Sequence, residues 1–359
     1  LNVPTEIRRA QIVGTGLIGG SVGAALRKLG WLVSGVDIDP ERASRALEVG
    51  VVDHVGVDPD AAVVFVATPA GSVAEVAAQA LRDCPAAVVS DVAGVKRPVV
   101  EALPEARFVG GHPMAGSEQD GVEGADPEMF EGATWVLTPS VHTDPACFAF
   151  IRSLVGSFGA NVVELPAARH DELVALVSHV PHLTAAALMN LAAETASEHA
   201  TLLRLAAGGF RDMTRIAAGE ASIWPDVCAA NKEAVVGSLD RLLHALAQLR
   251  ELVAAGDRAV LLDLLERARH ARVNLPASLA PSSQTAELRV PVPDRPGVLA
   301  EVTTLLGEMG INIYDLEIAH SVEGDKGVLV LVVAEGHCGP ARQALAARGY
   351  RSFARVLEK

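Results

Sequence analysis

Gly110-Gly-His112-Pro-Met-Ala-Gly-Ser-Glu118 sets a histidine between glycines and a proline, on a restrained loop with little around it to pack as core. Its neutral imidazole could accept a hydrogen bond from a hydroxyl, or take the hydroxyl's proton, near neutral pH. Company for this histidine comes further on, in Ser178-His-Val-Pro-His182, Gly208-Gly-Phe-Arg211-Asp-Met-Thr-Arg215, Ile223-Trp224 and Asn231-Lys-Glu. Each of these side chains also has a plainer use. His179 and His182 could ligate a metal, but their spacing crosses a proline and no third ligand lies nearby, so no metal site is assigned. Arg211 and Arg215 could be solvated helix charges, and Trp224 could be a core anchor or a site wall. Asp171 could orient His182, although capping the helix that it begins is the preferred reading.

A second constellation opens the chain. Ala10-Gln-Ile-Val-Gly14-Thr-Gly16-Leu17-Ile18-Gly19-Gly20-Ser21 is a GxGxxG turn directly after a strand pattern and at the start of a helix. Gly14 permits the tight turn, Gly16 lets backbone approach a pyrophosphate, and Gly19 lets helix and strand pack closely. The helix that Leu17 and Ile18 begin then offers free N–H groups to phosphates. The next strand pattern, Leu32–Val36, ends at Asp37, about the 20 residues beyond the loop that a ribose-binding acid requires. A carboxylate there accepts from ribose hydroxyls and repels a 2′-phosphate, so the cofactor expected is NAD rather than NADP. Asp39 strengthens that choice.

The elements that must position these groups fall into three regions. Residues 1–167 alternate β-branched runs (Gln11–Val13, Leu32–Val36, Ala62–Val66, Ala87–Val89, Phe108-Val109) with helical stretches, which predicts an α/β Rossmann domain on a parallel sheet. Residues 168–272 lose the β signal and form an all-α domain. Leu239, Leu242, Leu243, Leu246, Leu249, Leu252 and Val253 make an apolar stripe on one of its helices, fit for a dimer interface or for core. Residues 273–285, rich in Pro and Ser, read as a linker. Residues 286–359 read strand, helix, strand, strand, helix, strand, a ferredoxin-like α+β (βαββαβ) order.

The motifs GxGLIGGS, GGHPMAGSE, SHVPH and GFRDMTRIA with its following tryptophan, in this order over most of residues 10–235, resemble the prephenate dehydrogenase family. The second and fourth together are highly specific, whereas the first alone would fit many dehydrogenases. The resemblance implies NAD-dependent oxidative decarboxylation of prephenate to 4-hydroxyphenylpyruvate, or the matching reaction of arogenate. His112 then matches the histidine that accepts the ring-hydroxyl bond, and Arg215 the arginine whose rigid fork grips a substrate carboxylate. Ser178, His182, Arg211 and Trp224 would line the substrate pocket, with Glu118 near the substrate side chain. One departure stands out. The family usually carries Asp-x-x-Ser-x-Lys before the histidine loop, whereas Asp91-Val-Ala-Gly94-Val-Lys96 has glycine at the serine position. A water, Ser117, or a glycine-only backbone conformation could account for it.

Val292-Pro-Asp294-Arg-Pro-Gly297-Val-Leu-Ala-Glu301 and Gly310-Ile-Asn312-Ile resemble ACT domains, which bind amino acids at paired interfaces. That resemblance implies effector contacts at Gly297 and Asn312, with tyrosine as the natural effector and a purely structural pairing module as the alternative.

Composition bounds the rest. The chain has 359 residues and a net charge of −14, which excludes nucleic acid and anionic membrane surfaces as default partners but not small anions. Cys84, Cys147, Cys228 and Cys338 form no CxxC pair, so reduced thiols in a cytoplasmic protein are expected. No signal peptide is expected. The longest stretch without Asp, Glu, Lys or Arg, Leu173–Ala193, contains two histidines, a proline and an asparagine, so no membrane span is expected. A homodimer is.

Overall fold

A computed structural model describes residues 8–116, 119, 121–198, 206–274, 285–293, 295–320 and 326–356. The chain divides into two compact units, residues 1–244 and 245–359.

The first unit begins β1 (Arg9–Val13), α1 (Leu17–Lys28), β2 (Leu32–Val36), α2 (Pro40–Val49), β3 (His54–Val55), β4 (Val63–Val66), α3 (Val73–Asp83), β5 (Val88–Asp91), α4 (Arg97–Ala102) and β6 (Phe108–Pro113). It continues with β7 (Thr134–Thr138), α5 (Pro145–Gly156) and β8 (Asn161–Glu164). These strands form one sheet in the order β3-β2-β1-β4-β5-β6-β7-β8. The chain winds outward from β1 in one direction and from β4 in the other, so the loop after β1 sits at a topological switch point, where open α/β sheets bind ligands. Side chains alternate across the sheet with the two-residue period of a strand. Val63 and Phe65 pack with Ile12, Leu26 and Trp135 on one face. Val64 and Val66 pack with Leu81, Val99 and Phe108 on the other. Burial on both faces explains why these strands read as continuous β-branched runs.

The sheet is mixed rather than wholly parallel, because β6 and β7 are antiparallel. No α-helix lies between them among the described residues, only the short 3-10 turn Val122–Gly124. A parallel return needs a crossover, usually helical. The parallel pair β7–β8 has such a crossover in α5.

Helices follow: α6 (Ala167–Val174), α7 (Val180–Glu198), α8 (Gly208–Thr214), α9 (Trp224–Ala230), α10 (Lys232–Ala255) and α11 (Arg258–Val273). Ala175–His179 form a π-helical turn joining α6 to α7. Pro181 has no N–H for the carbonyl four residues earlier, which favours such a slip in the ladder. The run Ala167–Thr195 is long and apolar enough to cross a membrane, with mean hydropathy 1.3, but its His170, Asp171 and His179 are buried and hydrogen-bonded within the unit. On α10, which crosses from one unit to the other, Leu243, Leu246 and Val253 of the apolar stripe are exposed.

The C-terminal elements are β9 (Thr285–Pro293), α12 (Val298–Glu308), β10 (Asp315–His320), β11 (Lys326–Ala334), α13 (Cys338–Ala347) and β12 (Phe353–Val356). The antiparallel sheet has the order β10-β11-β9-β12, the ferredoxin-like arrangement expected from sequence. Leu288, Val290 and Val292 of β9 and Leu329, Leu331 and Val333 of β11 point alternately into a core shared with Val302, Leu306 and Leu345 of the two helices. The expected linker lies largely outside the described residues, at 275–284. All four cysteines are unpaired thiols.

Candidate active site

His112 lies within strand β6, paired with Val136 of β7, and not on a loop as the glycines suggested. Pairing with β7 extends the strand through Pro113. The imidazole is partly buried. Its Nδ1 is 2.8 Å from Nε2 of His170, and the rings meet edge to face. His170 is fully buried, and its Nδ1 lies 2.7 Å from Oδ1 of Asp171. Asp171 does not cap its own helix α6. Its carboxylate accepts from the backbone N–H of Lys96 (2.8 Å) and of Arg97 (2.9 Å), and so caps α4 across the domain. The reason is orientation: Asp171 sits inside α6, where its own helix has no free N–H within reach, whereas the start of α4 offers those of Lys96 and Arg97.

Under His112 lies a second buried arrangement. The Lys96 ammonium donates to the Asp91 carboxylate and to the Gly111 carbonyl, the latter at 2.7 Å, while Gly111 N–H donates to Asp91 at 3.1 Å. Both ends of the Asp91–Lys96 motif therefore clamp the backbone immediately before His112. A side chain at Gly111 would meet the Asp91 carbonyl at 2.7 Å, so only glycine fits the clamp. Burial, then the neighbouring His170, Lys96 and His179, hold the His112 pKa well below 6.5. Burial likewise lowers the Lys96 ammonium, against the pull of Asp91. Gly94 faces the histidine: a Cβ there would sit 3.6 Å from His112 Nε2, an ordinary contact. Its φ is not positive, so the glycine-only conformation is excluded as the reason for the missing serine.

The helical motifs assemble a second wall. His182 stacks on Trp224, with ring centroids 3.7 Å apart and planes 17° from parallel, and His179 meets the same indole edge-on. Burial lowers the pKa of both histidines. Trp224 opens α9, which packs on the 3-10 turn Ala70–Ser72 after β4 and so reaches the C-terminal edge of the sheet. Asn231 ties the group together, donating to the Asp171 carbonyl at 2.9 Å and lying 3.3 Å from His179. Ser178 is half-buried in the π-helical turn. Arg211 is exposed and donates to the Ala206 carbonyl at 3.3 Å. Arg215 is exposed and begins the 3-10 turn Arg215–Ala218, after which Gly219 approaches His182. Glu118 and Ser117 lie outside the described residues.

The dinucleotide loop fits its expected cargo. Gly14 has φ +93°, and a Cβ on it would lie 2.4 Å from the Ala67 carbonyl; on Gly19 it would lie 1.9 Å from the Gly14 carbonyl. A Cβ on Gly16 would meet nothing within 4 Å, so the space above that residue is open. No side chain caps α1, leaving the N–H groups around Leu17 and Ile18 aimed at that space. The Thr68 hydroxyl, buried beside this turn, has no partner among the described residues. A cavity of about 1010 Å³ runs along Thr15, Gly16, Asp39, Arg42, Gly121 and Ser222. Asp37 is already held, accepting from Thr15 N–H (2.8 Å), the Thr15 hydroxyl (3.3 Å) and Asp39 N–H (3.0 Å). Of about four acceptor sites on a carboxylate, one on Oδ1 remains for a ribose hydroxyl. Asp39 caps α2 through Glu41 N–H.

In the C-terminal domain Gly297 adopts φ +87° at the start of α12, and Asn312 is exposed ahead of β10. The strand register separates them. Pro293, before the Gly297 turn, pairs with Lys326, whereas Asp315, after Asn312, pairs with Val332, itself opposite Glu287. Six residues of strand lie between those levels, about 20 Å. One amino acid cannot touch both residues of a single copy.

Sequence reasoning missed His170, Lys96, Asp91 and Thr68 as site components. The Asp91–Lys96 pair stood in the quoted motif and was legible. The His170–Asp171 dipeptide lies only seven residues before Ser178 but carried no spacing signal of its own.

Three family models match in series: the prephenate dehydrogenase nucleotide-binding domain at residues 22–164, its dimerization domain at 166–267, and the ACT domain at 286–349. Prephenate dehydrogenase of Bacillus subtilis is 33% identical over 89% of this chain and 90% of its own length. Prephenate dehydrogenase from A. aeolicus, solved with hydroxyphenyl propionate and NAD+, superposes with TM-score 0.71 at 30% identity, covering 76% of this chain and all of that one. Synechocystis arogenate dehydrogenase superposes with TM-score 0.65 at 31% identity, covering 74% of this chain and 98% of that one.

Proposed function

The chain belongs to the prephenate dehydrogenase family and carries an ACT domain, and on that premise we propose that it oxidatively decarboxylates prephenate to 4-hydroxyphenylpyruvate with NAD. The observation that carries the reading is His112, a neutral imidazole beside Gly94 at the end of the sheet where ligands of this fold sit. NAD, when bound, supplies the hydride acceptor. Gly14, Gly16, Gly19 and the N–H groups at Leu17 and Ile18 hold its pyrophosphate, and Asp37 its ribose. His112 Nε2 accepts the bond from the ring hydroxyl and draws off its proton as hydride leaves the same carbon. Loss of carbon dioxide leaves its bonding electron pair in the ring, which aromatises, and the resulting phenolate oxygen takes its proton back from His112 Nε2. Arg215 pairs with a substrate carboxylate, Arg211 adds positive potential, and Ser178, Glu118 and the His182–Trp224 stack shape the pocket.

In this reading residues 1–167 and 168–272 form the catalytic domains, and residues 273–285 link them to a regulatory domain at 286–359. The exposed stripe Leu243, Leu246 and Val253 is buried in a homodimer, consistent with the name of the family model that matches it. Tyrosine is the effector, held between the Gly297 turn of one copy and Asn312 of another. Arogenate, which differs by a side-chain amino group, is the second substrate reading, favoured by the Synechocystis relative. Steady-state assays with both substrates, NAD and NADP, with and without tyrosine, test the proposal. Turnover of neither substrate with either cofactor would overturn it.

A further inference from the structure

The geometry points to a role for His170 and Asp171: we infer that they form a relay holding His112 in the tautomer protonated on Nδ1, so that the Nε2 lone pair faces the substrate hydroxyl. This deepens the proposed reading of His112 and rests on it for its functional meaning.

The argument runs from the carboxylate outward. Asp171 accepts two backbone N–H bonds at the start of α4, which compensate its charge and leave it no proton to give. Its contact of 2.7 Å with His170 Nδ1 therefore needs the proton on that nitrogen. His170 is fully buried, with the Asp171 carboxylate at one ring nitrogen and His112 at the other. A neutral His170 with its proton on Nδ1 has a bare Nε2, which can only accept. The 2.8 Å contact with His112 Nδ1 then requires the proton on His112 Nδ1, and Nε2 of His112 is left bare. That is the nitrogen beside Gly94. Without the relay the ring is free to carry its proton on Nε2, and such a ring donates where the reaction needs an acceptor. When Nε2 takes the hydroxyl proton, His170 holds the Nδ1–H of the resulting imidazolium, and Asp171 balances its charge through His170. His170 touches neither substrate nor cofactor in this scheme. It is a positioning residue.

The test uses the full chain and two variants. His170→Phe keeps an aromatic ring but removes the acceptor; His170→Gln can offer an amide oxygen near the lost Nε2. The tautomer is read by long-range 15N–1H correlation on histidine-labelled protein, with His112 assigned by its loss in His112→Gln. The relay predicts an Nδ1–H, bare-Nε2 pattern for His112 in the unmodified chain and an Nε2–H pattern in His170→Phe. With the better substrate, His170→Phe should lower kcat about 10²–10³-fold and change KM less than about threefold. His170→Gln should recover kcat to within about tenfold of the unmodified chain. An Nε2–H pattern in the unmodified chain overturns the relay, as does a His170→Phe kcat within about threefold of normal or a His170→Gln no better than His170→Phe. Should His170→Phe fail to fold, the spectrum of the unmodified chain and the His170→Gln rate decide. A chain that turns over neither substrate defeats the functional reading instead, while the spectrum still judges the tautomer.

Discussion

The two ends of the chain treat ionisable side chains in opposite ways. Around the candidate active site Asp91, Lys96, His170, Asp171 and His179 are buried, each bonded to another polar group. In the ACT domain the comparable cluster, Arg295 with Glu301 and Tyr350, is on the surface, and the core beneath it is apolar. Burying a charge costs several kcal/mol, and a paired buried charge seldom stabilises more than well-packed hydrophobic residues would. Among the described charges of the ACT domain Glu287, paired with Arg289, is the most covered, and it lies on a sheet strand and not in a cluster. Of the buried ionisable groups in the first unit, Asp91, Lys96, His170, Asp171 and His179 surround the one imidazole proposed to do chemistry, and their bonds fix backbone and ring orientation there, whereas Asp58 pairs with Arg9 elsewhere on the sheet.

The comparison breaks most sharply at His112. His112→Asn should lower kcat about 10²–10⁴-fold with little change in KM, because the bond it makes strengthens only as hydride leaves. Near-normal kcat would show that the buried cluster serves packing alone. The ring's pKa, depressed by burial, adds a sign to the pH profile. A neutral His112 persists as pH falls through 6.5, so the acid limb of kcat/KM should lie below that value. Stability follows the same sense, present above 6.5 and lost as pH falls from there through the folded-state value.

Next in size is a pair of stability measurements. Lys96→Met leaves Asp91 buried without its cation and should cost about 3–5 kcal/mol in denaturant unfolding. Glu301→Gln breaks a well-formed bidentate pair with Arg295, yet the midpoint of unfolding should barely move, since both side chains are about half exposed and water screens the pair. Glu301 is held at a pKa of about 2 by Arg295 and then Tyr350. Its small contribution is therefore present above 4.5 and fades as pH falls from 4.5 toward about 2. Equal costs for the two variants would erase the contrast between the units.

Smaller again is Arg215→Ala. It acts on an exposed guanidinium, and the proposed role is binding, so KM should rise about 10- to 100-fold at about 1.4 kcal/mol per decade. Loss of kcat alone would show that Arg215 belongs with the buried machinery.

Legibility followed the same division. Local physics was readable: β-branched runs marked β1, β2, β4, β5 and β6, and the pattern of residues 286–359 gave the βαββαβ order of the ACT domain, with boundaries up to four residues away. Thr134-Trp-Val-Leu-Thr138 was equally strand-like and went unnoted, and β8, largely exposed, has little apolar alternation to read. With β7 missed, His112 looked like a loop residue. Long-range pairing was not readable. His112 meets His170 across 58 positions and Asp171 meets Lys96 across 75, and no periodicity links residues so far apart. Asp171 was accordingly given to its own helix, the nearest place where a carboxylate could be used.

The smallest expected effect is at Gly94, where the chain departs from its family's pattern inside the buried cluster. The backbone there is ordinary, and a Cβ would lie 3.6 Å from His112 Nε2, so a serine fits without displacing anything. Its hydroxyl could reach the lone pair that the relay leaves bare. A single neutral hydrogen bond contributes about 0.5–1.5 kcal/mol net, so the most it can change in rate is roughly tenfold. A glycine also leaves room for a water that would make the same bond. Gly94→Ser should therefore leave kcat unchanged or raise it by less than about tenfold, with the thermal midpoint within a degree or two of the unmodified chain. A large drop in kcat with unchanged stability would mean that the hydroxyl competes with substrate for His112 Nε2. A joint loss of rate and midpoint would mean that the space beside the histidine is already filled. Either result would tie Gly94 to the buried cluster as tightly as Gly111, and would show that the cluster tolerates no polar group it did not evolve with.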